Sequence, residues 1–255
     1  MSVYRYYFLV SKFSRKLGKF LHLLGHSSYR RGLALGVGAS LEHRPILESL
    51  TPVTIVDIGA NIGQFTLLAE VLFPQARVHA FEPLTSPANR FARLFAEKTS
   101  VVLHRCAIGA EEGSSPMNVS GAIDSSSLLP ITAAQVAFAP GTDAVGIEDV
   151  SVRRLDTLLK PQDIEEPALL KIDVQGFEMS TLEGCGHLLA LFRWVYIEAS
   201  FTELYGGQAL APDIVDFLRK RGFTLAGVAN PSFGPQGGCV QADFLFMSRN
   251  QTALA

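Results

Sequence analysis

Short runs of β-branched and aliphatic residues recur along this chain, and several of them end at an acidic side chain. Val53–Val56 runs into Asp57, Ala76–Phe81 into Glu82, Ala168–Ile172 into Asp173 and Trp194–Ile197 into Glu198. Further apolar runs cover Ser100–His104, Phe223–Val228 and Gln241–Met247. Between them, helical spacing is evident over Gln64–Leu72, Ala88–Ala96, Phe177–Leu189 and Ile214–Lys220. Strand and helix alternating at short intervals predict an α/β fold whose parallel strands are joined by right-handed crossovers. The tally is about seven core strands.

One interval breaks the rhythm. Residues 109–167 carry polar turns, a serine-rich loop at Asp124–Ser127 and a Gly/Asp loop at Pro140–Asp149, with Val150–Arg154 as a candidate added strand. A stretch of this length reads as a functional insertion. The N-terminus is different again. An aromatic–apolar cluster (Tyr4 to Val10) precedes Lys12, Arg15, Lys16 and Lys19, and no acid occurs before Glu42. Phe13, Leu17, Phe20, Leu21 and Leu24 fall at helical spacing. The run is too short to span a bilayer and lacks the order of a signal peptide. Two readings stand: a helix packed on the domain, or an amphipathic helix docking on anionic lipid or an acidic partner. The expected organisation is an N-terminal helical extension over 1–48 and a catalytic domain over 49–250.

A length of 255 residues with 48% hydrophobic and 18% charged content describes an ordinary globular chain with material for a large core. The net charge of −2 argues against a partner held by phosphate neutralisation, so no nucleic acid is expected. Cys106, Cys185 and Cys239 are scattered without C-x-x-C spacing, which suits a reducing cytoplasm.

The candidate chemistry centres on VTIVDIGANIG (53–63), a strand, glycine turn and helix start. A dinucleotide-binding turn would place a glycine first, as G-x-G-x-x-G. Here the order is D-x-G-x-x-x-G, and an acid beside the turn would repel a pyrophosphate. It suits a ligand bearing an amine or sulfonium, such as S-adenosylmethionine. Carboxylates at Asp57, Glu82, Asp173 and Glu198 converge on the edge where open α/β sheets bind ligands, and grouping them needs a compensating ligand, metal or proton. Each has a plainer role on its own: Asp57 or Asp173 as a helix cap, Glu82 as a partner of Arg77 or Arg90. As a set, Glu82 would accept both ribose hydroxyls, and Asp57 would lie near the methionine amine. Gly59, Ala60, Asn61 and Gly63 would bring the backbone close to the ligand, while Cys106 and Ala107 would flank the adenine.

These pieces resemble the FkbM family of S-adenosylmethionine-dependent methyltransferases. The matching segments are VDIGANIGQFT (56–66), FEP (81–83), IDSSSLLP (123–130), RRLDTLL (153–159), LLKIDVQGFEMSTLEG (170–184), VYIEASFTELYGGQ (195–208) and QADFLF (241–246). The resemblance implies the class I methyltransferase, Rossmann-like fold: seven mostly parallel strands with an antiparallel last strand and helices on both faces. It implies O-methylation of a hydroxyl on a sugar, glycoconjugate or natural product; the cysteines and the basic N-terminal segment add the expectation of a cytoplasmic protein, peripheral at the inner face of the membrane if that segment docks on lipid. Many members carry Glu where this chain has Gln175.

A sugar hydroxyl is a poor acid, so a general base would assist. Asp173 is the first candidate, then Glu198 and Glu178, with Lys171 either tuning an acid or forming a structural pair. The three acids could hold a divalent cation, although none is favoured, and no His/Cys spacing supports zinc. Ser126, with Ser125 and Ser127, would touch the cofactor or shape the acceptor pocket, and Tyr205–Gly207 would contribute to a lid. A nicotinamide oxidoreductase and a non-catalytic S-adenosylmethionine-binding module are the competing classes.

Overall fold

The computed structural model describes residues 25–249 apart from Gln236, so the amphipathic segment 13–24 lies outside the described residues. The apolar runs become β1 (Thr54–Ile58), β2 (Arg77–Phe81), β3 (Val101–His104), β7 (Ala168–Ile172), β8 (Phe192–Ser200), β9 (Phe223–Phe233) and β10 (Cys239–Ser248). They form one sheet in the order β3-β2-β1-β7-β8-β10-β9. All neighbours in it are parallel except β10, which runs antiparallel to both β8 and β9. β1 and β7 lie side by side where the strand order reverses, and this is where such sheets open a crevice.

The sheet is buried on both faces, as its uninterrupted apolar runs require. One face packs Val56, Ile58, Leu170, Ile172, Val195 and Ile197 under the Glu178–Gly184 and Ala211–Lys220 helices. The other packs Ile55, Val78, Leu169, Trp194 and Tyr196 under the Gln64–Leu72 and Thr85–Leu94 helices. Tyr29, Val37, Ala39 and Leu47 belong to this second core and are almost fully buried. The segment 27–50 is thus part of the domain, and a boundary after residue 48 cuts through packed structure. No helix among the described residues is long and apolar enough to cross a membrane.

The 109–167 interval supplies two strands of a second sheet, whose third lies just before it. β5 (Gly113–Ser120) pairs antiparallel with β6 (Ala144–Arg153), which pairs parallel with β4 (Ala107–Ile108). The added strand therefore begins well before Val150. The loop between β5 and β6 brings Asp124 and Ser126 over the carboxyl edge of the main sheet.

Two strand ends differ from expectation. β1 continues through Ile58, so Asp57 sits inside the sheet, in register with Ala80 and Lys171. β8 continues to Ser200, so Glu198 lies within the strand opposite Asp243. An acid can stay in a strand when a charged or polar neighbour on the next strand faces it. Glu82 and Asp173 do follow their strands directly.

Candidate active site

Two cavities meet at the ends of β1 and β7. The first is a cleft with about 570 Å³ of empty space, reached from the insertion side. Phe81, Glu82, Cys106, Ala107, Ile108, Met117 and Ser126 form its walls, and Gly59, Asn61 and Asp173 its inner end. The second is a polar chamber of about 910 Å³ lined by His43, Lys171, Glu198, Asn230 and Asp243 among others. Gly59, Asn61, Asp124 and Asp173 line both.

The turn after β1 is built to admit this junction. Gly59 has φ +82°, and a Cβ there would overlap the carbonyl oxygen of Asp173. Its role is thus close approach of two backbones, with the ligand surfaces on either side. Gly63 plays a different part from the one expected. It lines neither cavity, and a Cβ on it would press to 2.6 Å from the Phe95 ring, so it serves helix packing. Asn61 adopts φ +48° and leaves its buried Oδ1 without a hydrogen-bond partner. An orphaned acceptor on the cleft wall fits a ligand that carries an amine.

Glu82 is 5% exposed and pairs with neither Arg77 nor Arg90. Its Oε2 accepts from the Asn61 N–H at 2.9 Å and its Oε1 from the Leu84 N–H at 2.8 Å. Burial pushes its pKa up to about 7 despite those two donors. A carboxylate has about four lone-pair sites, so two stay available for ribose hydroxyls. Together with the apolar wall at Phe81, Cys106, Ala107 and Ile108, this fits an adenosyl ligand.

Asp57 is fully buried and lines neither cavity. Thr66 Oγ1 donates to its Oδ2 at 2.7 Å, and Lys171 Nζ stands 3.4 Å from its Oδ1. Lys171 in turn reaches Asp173 Oδ2 at 3.5 Å and the Gly59 carbonyl at 3.3 Å. Burial opposes its charge, but Asp173 and Asp57 outweigh it and the ammonium pKa is raised. Lys171 is both a structural partner of Asp57 and a cation beside Asp173.

Asp173 and Glu198 are bridged by a residue whose part was not expected. Gln175, at φ +55°, donates through Nε2 to Asp173 Oδ1 at 2.7 Å and to Glu198 Oε2 at 3.1 Å. Tyr205 lies beneath it rather than in a lid, donating its hydroxyl to Gln175 Oε1 at 2.7 Å. Ser127 Oγ donates to the Gln175 carbonyl at 2.6 Å, which ties the serine loop to this turn. Burial, with Asp173 and Asp243 nearby, holds the Glu198 pKa well above the usual carboxylate range.

Glu178 has no place in this group. Its Oε1 accepts from the backbone N–H of Gly176 at 3.0 Å and of Val174 at 3.3 Å, and it lines neither cavity. An acid at a helix start facing loop amides holds that loop, which is why the triad with Asp173 and Glu198 does not converge. Among the described residues, no group of three or more His, Cys, Asp and Glu side chains could hold a metal ion.

A further network closes the chamber. His43 Nδ1 lies 2.8 Å from the Tyr196 hydroxyl and 3.2 Å from Asp243 Oδ2. Tyr196 and Asn230 both donate to the same oxygen, at 3.0 and 2.7 Å. Burial works to raise the Asp243 pKa, but these donors and His43 lower it overall. No local motif announces this set; an acid within the apolar run QADFLF is the one trace of it.

Sheet order, the glycine turn at the β1–β7 junction and the acid ending β2 define a class I methyltransferase fold. The chain belongs to the FkbM methyltransferase family: residues 57–225 match the profile described as the Methyltransferase FkbM domain. It is 29% identical over 206 residues to 31-O-demethyl-FK506 methyltransferase FkbM from Streptomyces tacrolimicus, covering 70% of this chain and 75% of that protein. It is 31% identical over 185 residues to 2-O-methyltransferase NoeI from Sinorhizobium fredii, covering 69% and 76%. Among solved structures, Aeropyrum pernix fibrillarin with natively bound S-adenosyl-L-methionine aligns at TM-score 0.47 with 12% identity, covering 86% of this chain and 76% of that one.

Proposed function

We propose that this protein is an O-methyltransferase that uses S-adenosylmethionine to methylate a hydroxyl of a saccharide, a glycoconjugate or a related natural product. The observation that carries the reading is the junction itself: an adenosyl-compatible cleft and a polar chamber share two acids, Asp124 and Asp173, of which Asp173 ends the central strand β7. The names of two relatives, a 2-O-methyltransferase and a methyltransferase of 31-O-demethyl-FK506, support the choice of oxygen.

When bound, S-adenosylmethionine supplies an electrophilic methyl group on a sulfonium. Glu82 would hold the ribose hydroxyls, Asn61 Oδ1 the amine, and Cys106 and Ala107 the adenine. Asp173 orients the acceptor hydroxyl and takes up its proton, while Lys171, 3.5 Å away, helps fix the carboxylate. Holding nucleophile and methyl in line can lower the barrier by roughly 7–11 kcal/mol, and a base adds about 10²–10⁴-fold. Glu198 stands at the far wall, where it accepts from Gln175 and Gln241.

Calorimetric titration with S-adenosylmethionine, S-adenosylhomocysteine and NAD tests the cofactor, and labelled-methyl incorporation into a saccharide panel tests the acceptor. Asp173→Asn is expected to bind S-adenosylhomocysteine as the parent does and to lose methyl transfer. NAD binding in place of the adenosyl ligands would overturn the reading, and an active Asp173→Asn variant would move the base elsewhere.

A further inference from the structure

The chamber on the far side of the junction is electrically one-sided. Glu42, Asp124, Asp173, Glu198 and Asp243 contribute carboxyl groups to its lining. Lys171 and His43 are its only basic side chains among the described residues. Lys171 is closed to an anion, and His43 turns one ring nitrogen to an acid. Lys171 is 5% exposed, and its ammonium faces Asp57, Asp173 and the Gly59 carbonyl at 3.3–3.5 Å. The Nδ1 of His43 is held between Tyr196 and Asp243. No arginine lines the space.

Asp243 Oδ2 and both oxygens of Glu198 are already supplied from Tyr196, Asn230, Gln175 and Gln241. The rim acid Asp124 is exposed and faces whatever enters. Much of this lining comes from outside the family match at 57–225: Glu42 and His43 precede it, and Asn230 and Asp243 follow it.

We infer that this chamber selects an uncharged or amine-bearing polyhydroxylated acceptor and rejects one carrying a phosphate or carboxylate near the reacting hydroxyl. Hydroxyl and ammonium groups donate to the acidic wall. An anion there would meet like charge, with Lys171, among the described residues, already taken up by Asp57 and Asp173, a juxtaposition that discriminates strongly between partners. The inference rests on the methyltransferase reading above, since it takes the chamber to be the acceptor's side of the junction.

The test uses the full-length protein saturated with S-adenosylhomocysteine, whose binding is first measured by calorimetry. Ligand-observed NMR then compares methyl β-glucoside, glucosamine, glucuronic acid and glucose 6-phosphate. The neutral and amine-bearing sugars are expected to bind about tenfold or more tightly than the two anions. Asp124→Lys, at an exposed rim position, is expected to narrow or reverse that order. Equal or tighter binding of the anionic sugars to the parent protein, or binding of none of the four, would overturn the inference while leaving the cofactor assignment intact. Failure of S-adenosylhomocysteine to bind would instead remove the reading on which it rests.

Discussion

Lys171 and Asp57, Cα partners across the β7–β1 pair, form an ion pair at 3.4 Å with side chains 6% and 0% exposed. Burying two charges is tolerable only when each offsets the other, and removing one leaves the other stranded. Lys171→Met is therefore expected to lower stability by about 3–5 kcal/mol, read from denaturant midpoints. Adding Asp57→Asn should recover a large part of the loss. A single variant as stable as the parent would show that the pair does not hold the centre of the sheet.

Glu82 links cofactor affinity to pH. Its pKa rises from 4.5 to about 7 through burial, so near neutrality the carboxyl is only partly ionised. The ionised form accepts both ribose hydroxyls, and S-adenosylhomocysteine should bind more tightly as pH rises from about 6 to 8. Glu82→Gln should weaken binding by roughly 1.5–3 kcal/mol at pH 8 and flatten this dependence. A flat profile in the parent protein would refute the placement of the ribose. Folding responds in the opposite sense. Glu82 and Glu178 both reach about 7 in the folded state, so the native protein keeps protons there that the unfolded chain has released. Between pH 4.5 and 7 their contribution to stability falls as pH rises.

Gly59 sets how near β1 and β7 can come at their carboxyl ends. Its φ of +82° and the Asp173 carbonyl against its α-carbon leave no room for a side chain. Gly59→Ala should cost more than about 2 kcal/mol and weaken adenosyl binding, because the turn must shift away from Asp173. Thermal melts with and without S-adenosylhomocysteine would detect both effects. A variant that melts and binds like the parent would mean that the junction is plastic.

The sheet was legible because its strands are buried on both faces and read as apolar runs, and because glycine after Ile58 marks a turn in any α/β unit. Glu82 and Asp173 were legible for the same reason: an acid directly after such a run must sit at the sheet edge. Glu178 misled because an acid at a helix start looks alike whether it faces a ligand or two loop amides. Asp57 and Glu198 were displaced by a residue or more, since cross-strand neighbours such as Lys171 and Asp243 let a charge stay within a strand. His43, Tyr196, Asn230 and Asp243 come from segments up to 200 positions apart in the chain, and only the folded sheet order brings them together. Tyr29, Val37 and Leu47 fill a core without a regular period, which hid the membership of 27–50 in the domain.

Gln175 offers the sharpest test of how the acids are held apart. Its amide donates to Asp173 and Glu198 at once, while its own oxygen accepts from Tyr205. Gln175→Glu keeps the shape and the acceptor but replaces the bridging donor with a third carboxyl group. At pH 8 three carboxyl groups would crowd one turn, with Lys171 the nearby cation. The variant should melt at a lower temperature than the parent at pH 8 and recover much of the difference at pH 6, where one proton can be shared among the acids. Adenosyl binding should change little, because Glu82 and Asn61 lie elsewhere in the cleft. Melting curves of parent and variant at the two pH values decide the matter: an equal offset at both would mean that packing, rather than the amide bridge, is what Gln175 contributes.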